Sequence, residues 1–174
     1  KRLQRLTEDI LDVTRIESQT LELKKERVNI NEKIRDVIND VKNQINNPDR
    51  LKIIFSEKIK PVYVETDKTR LYQVIANLIT NAIKFTREGT ITVSVDVNDK
   101  NDELIVTVKD SGEGIHSDIM PRLFTKFATK SNTGTGLGLY ISKNIIEAHG
   151  GRIWAVNNQD GRGATFSFSL PVTQ

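Results

Sequence analysis

The stretch DKTRLYQVIANLITNAIKFT, residues 67–86, decides how the rest of the chain is read. Leu71, Val74, Ile75, Leu78, Ala82 and Phe85 recur at steps of three and four, the spacing of a helix with one face packed on a core. Asp67 stands just before this run, where a carboxylate can accept the first free N–H groups of a helix. Gln73, Asn77, Asn81 and Lys84 recur at similar steps on another face. Such a polar stripe is ordinarily a solvated side. It can also offer a carboxamide oxygen to magnesium, which takes few protein oxygens and completes its shell with water and substrate phosphates. On that reading Asn81 is the metal ligand, and Lys84, nearly one turn on, meets phosphate oxygens. The helix by itself does not choose between the two.

Composition narrows the classes. With 174 residues, 37% hydrophobic and 28% charged, the chain is long enough for one folded domain with a short appendage. The formal charge of +3 is small and spread out, and suits an anionic ligand such as a nucleotide. The lack of aromatics interleaved with basic residues disfavours nucleic acid. The absence of cysteine excludes disulfides, thiolate metal sites and a cysteine nucleophile. No apolar run reaches membrane-spanning length and no signal peptide is visible, so no membrane contact and a cytoplasmic location are expected.

Upstream, Leu3, Leu6, Ile10 and Val13 are spaced three, four, three, a bundle-type seam on a long helix expected over residues 1–24. Charged residues (Arg2, Arg5, Glu8, Asp9, Asp12) fill the positions between. The seam calls either for a partner helix or for docking on the chain's own domain. Because the chain opens inside this helical pattern, it is expected to be a piece of a longer protein. Asn29 reads as an N-cap with Glu32 closing a capping box, ahead of a stripe at Ile30, Ile34, Val37, Ile38, Val41 and Ile45. Strands are predicted at 52–56, 62–65, 90–97, 104–109, 151–158 and 164–170. Helices beside these strands predict an α+β fold, a two-layer sandwich with helices on one face of a mixed sheet.

Two glycine runs follow. Asp110-Ser111-Gly112-Glu113-Gly114-Ile115 comes directly after a strand. Gly112 and Gly114 let backbone approach a flat or anionic ligand, and Asp110 can accept from an exocyclic amino group. Gly134-Thr135-Gly136-Leu137-Gly138-Leu139 opens a helix expected to reach about residue 149, and a glycine-rich helix start can cradle phosphate. The spacing is neither that of a dinucleotide fingerprint nor that of a Walker loop. Phe124 and Phe127 read as anchors of a mobile lid over residues 128–135, with Lys130 able to reach a terminal phosphate. His149, at a helix end, is expected to be a cation or cap beside the helix dipole. His116 follows the first glycine loop. Neither histidine lies on a bundle-like helix, so neither reads as a phosphoacceptor.

Taken in order, Asn77/Asn81/Lys84/Phe85, DSGEGI, FTKF, GTGLGL and GRGATF resemble the N, first glycine, F, second glycine and third glycine boxes of sensor histidine kinases. The resemblance covers about residues 50–171, and TEDILDVTRIESQTLELKKERVNI resembles the second helix of their dimerisation and phosphoacceptor hairpin. It implies the ATP-binding catalytic fold of the GHKL (Bergerat) type over residues 28–174, preceded by part of that hairpin over residues 1–27. ATP and Mg2+ are the implied cofactors. Asn81 is the implied metal ligand and, with Lys84, the implied catalytic pair. Asn77 and Lys84 line the phosphates, and Asp110 holds the adenine amino group. Gly112, Gly114 and Ile115 give access to the ring. Lys130, Gly134, Thr135, Gly136, Leu137, Gly138 and Leu139 form lid and phosphate loop, and Thr165 supports the adenine end.

The implied partners are the acceptor hairpin of the same or a sister subunit, a response regulator receiver domain, and a second copy in a homodimer. His116 stands where the family usually has proline, at a position expected to touch no ligand group, and the histidine-bearing first helix is missing. Two alternatives stay open: another GHKL machine of the gyrase, mismatch-repair or chaperone type, or a nucleotide-binding module without chemistry. The former use a glutamate base four residues before the magnesium asparagine. Here that residue is Asn77, which favours transfer to a protein acceptor over hydrolysis.

Overall fold

The computed structural model describes residues 2–57, 60–98, 100, 102–129 and 134–172. The elements in order are α1 (Arg2–Glu17), β1 (Lys25–Asn29), α2 (Ile30–Val41), β2 (Leu51–Ser56), β3 (Tyr63–Asp67), α3 (Lys68–Phe85), β4 (Gly89–Asn98), β5 (Glu103–Asp110), α4 (Gly138–Ala148), β6 (Ile153–Asn157) and β7 (Ala164–Pro171). Five strands form one mixed sheet in the order β2-β4-β5-β7-β6, in which β2 runs parallel to β4 and the other pairs are antiparallel. Helices α2, α3 and α4 cover one face of it. The expected two-layer α+β architecture is therefore present.

The capping chemistry read from sequence holds. Asp67 accepts from the N–H groups of Thr69 and Arg70, both at 3.0 Å, and starts α3. Asn29 accepts from Asn31 and Glu32 at the start of α2. Val93, Val106, Val108 and Phe168 point inward from alternate strand positions and meet Leu71, Val74, Ile75 and Leu78 of α3, all at most 1% exposed. Each such side chain contributes about 1.5–3 kcal/mol of burial free energy. Ile79, outside the predicted stripe, is equally buried. The reason is that α3 lies between α2 and α4, so it hides a wider arc than a helix with one neighbour. Phe85, inside the stripe, is 36% exposed at the helix end.

The N-terminal segment departs from expectation. The helix stops at Glu17 instead of continuing to residue 24, and Lys25–Asn29 is a strand paired antiparallel with β3, Val28 opposite Val64. The boundary expected between residues 27 and 28 thus falls inside β1. On α1 three of the four seam residues lie open, Leu3 77% exposed, Ile10 52% and Leu6 37%, whereas Val13, with Ile16, packs against the domain core. The polar side docks on the domain as well. Arg70 Nη1 donates to Asp12 Oδ1 at 2.7 Å, Gln73 Nε2 donates to Asp12 Oδ2 at 2.7 Å, and the Thr135 hydroxyl donates to Asp9 at 3.0 Å.

Candidate functional site

A cavity of about 660 Å³ opens between α3, the ends of β5 and β7, and the loop leading into α4. That volume suits a small organic ligand. One end is apolar, lined by Ile119, Leu123, Ala164 and Phe166 around Asp110. Asp110 is 4% exposed, and its Oδ1 accepts from Gly112 N at 2.9 Å and Ala164 N at 3.2 Å. Burial raises its carboxyl above the usual range, against the downward pull of those two N–H groups. Oδ2 takes no hydrogen bond among the described residues and remains for a donor in the cavity. An apolar slot with one buried acceptor recognises a flat ring that carries an amino group.

The opposite end is polar. Asn77, Asn81 and Lys84 of α3 face Gly134, Thr135, Gly136 and Gly138. Asn77 Nδ2 donates to Ser142 Oγ at 2.9 Å, which orients the carboxamide across to α4. A Cβ on Gly138 would land on that carboxamide, so only glycine lets α4 begin this close to α3. Gly136 has φ +70°, and a Cβ there would meet Phe127 Cα at 2.7 Å. The Asn81 carboxamide has no hydrogen-bond partner among the described residues. Nor is there a cluster of three or more His, Asp or Glu among them that could hold a metal. The donor set thus fits an ion that takes one carboxamide and completes its shell with phosphate and water oxygens. Lys84 is held below the ordinary lysine range, by partial burial first and then by the nearby Arg5.

Most of the residues expected from sequence meet here: Asn77, Asn81, Lys84, Asp110, Gly114, Ile115, Gly134, Thr135, Gly136, Gly138 and Leu139 all line the cavity. Three others do not. Gly112 is small because Phe85 O and Thr86 press on it, so it serves the loop's own packing. Leu137 is a core residue, 3% exposed. Thr165 lies on the opposite sheet face from its neighbours Ala164 and Phe166, and its hydroxyl donates to Asn158 Oδ1 at 2.6 Å. Asn158 Nδ2 in turn donates to Asp110 O, so Thr165 bears on the site only through Asn158. Lys130 lies outside the described residues.

Phe124 packs against the core, but the Phe127 side chain is 68% exposed, and it is the Phe127 backbone N–H, donating to Gly136 O at 2.8 Å, that ties this segment to the glycine loop. His116 is among the residues that line the cavity. His149 is the C-cap of α4, as one of its two expected roles has it, but its ring is buried and accepts at Nε2 from Asp67 N, so it is not a cation. Sequence reading missed Arg5 and the apolar set. Phe166 was detectable, because it alternates inward along β7. Arg5 gave no local signal.

Residues 66–174 match the family described as histidine kinase-, DNA gyrase B-, and HSP90-like ATPases. The chain belongs to this family. It is 33% identical over 181 residues to the sensor histidine kinase WalK of Bacillus subtilis (strain 168), a match that covers 100% of this chain and 29% of WalK. Full-length ShkA, solved in complex with AMPPNP, superposes with TM-score 0.82 at 28% identity over 97% of this chain and 35% of ShkA. Histidine kinase ThkA, solved in complex with response regulator protein TrrA, superposes with TM-score 0.73 at 31% identity over 98% of this chain and 49% of that chain. The GHKL chain thus spans well under half of WalK and ShkA and about half of ThkA. Among its described residues no helix is long and apolar enough to cross a membrane.

Proposed function

We propose that this GHKL chain is the ATP-binding catalytic part of a sensor histidine kinase. On this reading it transfers the γ-phosphoryl group of Mg-ATP to a histidine on a helical hairpin, for relay to a response regulator. The observation that carries the reading is the pair of open acceptors at the two ends of one cavity: Asp110 Oδ2 in the apolar slot and the Asn81 carboxamide in the polar end. Adenine fits the first. The phosphates, with magnesium on Asn81, fit the second. A magnesium ion there would offset charge on the phosphate oxygens.

The chain's own side chains then position and screen. Lys84 and the N-terminus of α4 offset charge that develops on the transferring group, a task that needs no covalent protein chemistry. Asn77, tied to Ser142, cannot accept a proton from water, so transfer to a protein acceptor is favoured over hydrolysis. The open apolar seam of α1 supports a hairpin partner and a second copy as its neighbours. The proposed catalytic pair remains Asn81 and Lys84.

Calorimetry with ATP tests the binding half. Affinity should rise with magnesium in the native chain, and Asn81→Ala should abolish that rise while adenosine still binds. An Asn81→Ala variant with undiminished magnesium dependence would remove Asn81 as the ligand.

A further inference from the structure

One wall of the cavity comes from outside the two layers of the domain: Arg5 of α1 lines its polar end. The helix is held there at several points along one side. Asp9 accepts from Thr135 of the glycine loop, Asp12 from Arg70 and Gln73 of α3, and Glu17 pairs with Lys126. Arg5 precedes Asp9 by four residues, so it lies on the docked side, one turn nearer the cavity mouth. Its guanidinium has no hydrogen bond or ion pair among the described residues.

Lys84, the other cation of that wall, makes no ion pair with a carboxylate among the described residues, and its ammonium lies 5.2 Å from the centre of the Phe85 ring. The two cations are close enough that Arg5 helps push the Lys84 ammonium below its ordinary range. The Asp9 carboxylate, one turn along α1, offsets part of the Arg5 charge, but the repulsion between the two cations is left, and a polyanion bound between them removes it.

We propose that Arg5 is a phosphate-contacting residue of the nucleotide site, supplied by α1, so that helix docking and triphosphate binding favour each other. This rests on the nucleotide reading above. A planar fork of N–H donors suits phosphate oxygens, and coupling between the two events is reciprocal by linkage. The helix is then part of the site as well as a tether to whatever precedes it.

The test is calorimetry of adenosine, ADP and ATP, with magnesium, on the native chain, Arg5→Gln and Arg5→Lys. Arg5→Gln should weaken ATP about 5- to 20-fold, with adenosine unchanged, as expected for a partly exposed charge-assisted bond. Arg5→Lys should recover part of the loss. In parallel, ATP should slow amide exchange in α1 of the native chain and not in Arg5→Gln. Unchanged ATP affinity in Arg5→Gln, or equal weakening of adenosine and ATP, overturns the proposal. Retained adenosine binding in either case leaves the nucleotide site itself standing, whereas a native chain that binds none of the three overturns both.

Discussion

The backbone N–H of Asp67 donates to Nε2 of His149 at 3.1 Å, and this bond fixes the imidazole as the tautomer protonated on Nδ1. The Nδ1–H then donates to Ile145 O at 2.8 Å, and Thr66 Oγ1 lies 3.0 Å from Nε2. The ring ties the end of α4 to the start of α3. Asp67 extends the link, since its Oδ2 accepts from Lys24 N at 3.0 Å, just before β1. A second ring proton would set N–H against N–H.

Stability should therefore depend on pH through His149. Burial holds its pKa below the ordinary 6.5, with Lys25 adding to the effect and the Ile145 bond and Asp67 opposing it. A depressed folded value means the unfolded chain takes the proton first. The contribution is complete above pH 6.5 and is lost as pH falls through the folded value. Urea titrations should show a decline of up to about 1.4 kcal/mol per pH unit below 6.5. His149→Gln should cost about 1–3 kcal/mol at pH 8 and flatten that decline. Equal slopes between pH 6.5 and 5 would remove His149 as the cause.

Asp110→Asn separates recognition from folding. The amide keeps an oxygen for Gly112 and Ala164 and sheds the cost of a buried charge. Adenosine and ATP affinity should both fall about 10- to 150-fold, the worth of a charged acceptor, with the melting temperature little changed. Native affinity for adenosine in this variant would exclude Asp110 from ring recognition.

Gly138→Ala places a methyl group on the Asn77 carboxamide at a helix start where alanine is otherwise favoured. Overpacking of this kind costs about 1–3 kcal/mol. The expected outcome is a folded chain with ATP binding weakened about tenfold as Asn77 is displaced from Ser142. A raised melting temperature with native ATP affinity would show that the site tolerates the methyl.

Asp12→Ala should free α1. It leaves Arg70, whose side chain is 16% exposed, without its carboxylate, at a cost on the order of 3 kcal/mol. Hydrogen exchange should speed up about 100-fold in α1 and stay unchanged in β4, β5 and β7. Uniform acceleration across the sheet would mean that α1 and the domain unfold together.

Phosphotransfer should require an added acceptor. His149 is committed to buried bonds, His116 Nδ1 accepts from Asp118 N at 3.2 Å, and neither lies on α1. With γ-labelled ATP the chain alone should carry no acid-labile label. A fragment bearing an acceptor hairpin should become labelled when it pairs with the seam of Leu3, Leu6 and Ile10. The rate should be well below that of a joined protein, because the acceptor's effective concentration is lower. Label on the chain alone would identify an acceptor among its own histidines, and steady release of phosphate would favour hydrolysis.

The amino-acid order alone determined the cap at Asp67, the inward stripe of α3, the strand pattern and the glycine runs. Each depends on spacings of two to four residues and on local N–H chemistry, so no distant partner is needed to read them. The position of Thr165 was also legible, since it sits between two inward residues of a strand. Tertiary structure decided the rest. Lys25–Asn29 carries three charged residues in five, and is a strand only because the β3 edge offers it a ladder. Asp12 looks like any solvated helix residue until Arg70 and Gln73, 58 and 61 residues away, are folded against it. For the same reason α1 docks through Asp9 and Asp12 beside Val13 and Ile16, and leaves Leu3, Leu6 and Ile10 open. Which face of a helix is buried depends on which partners reach it, and the helix's own periodicity cannot carry that information.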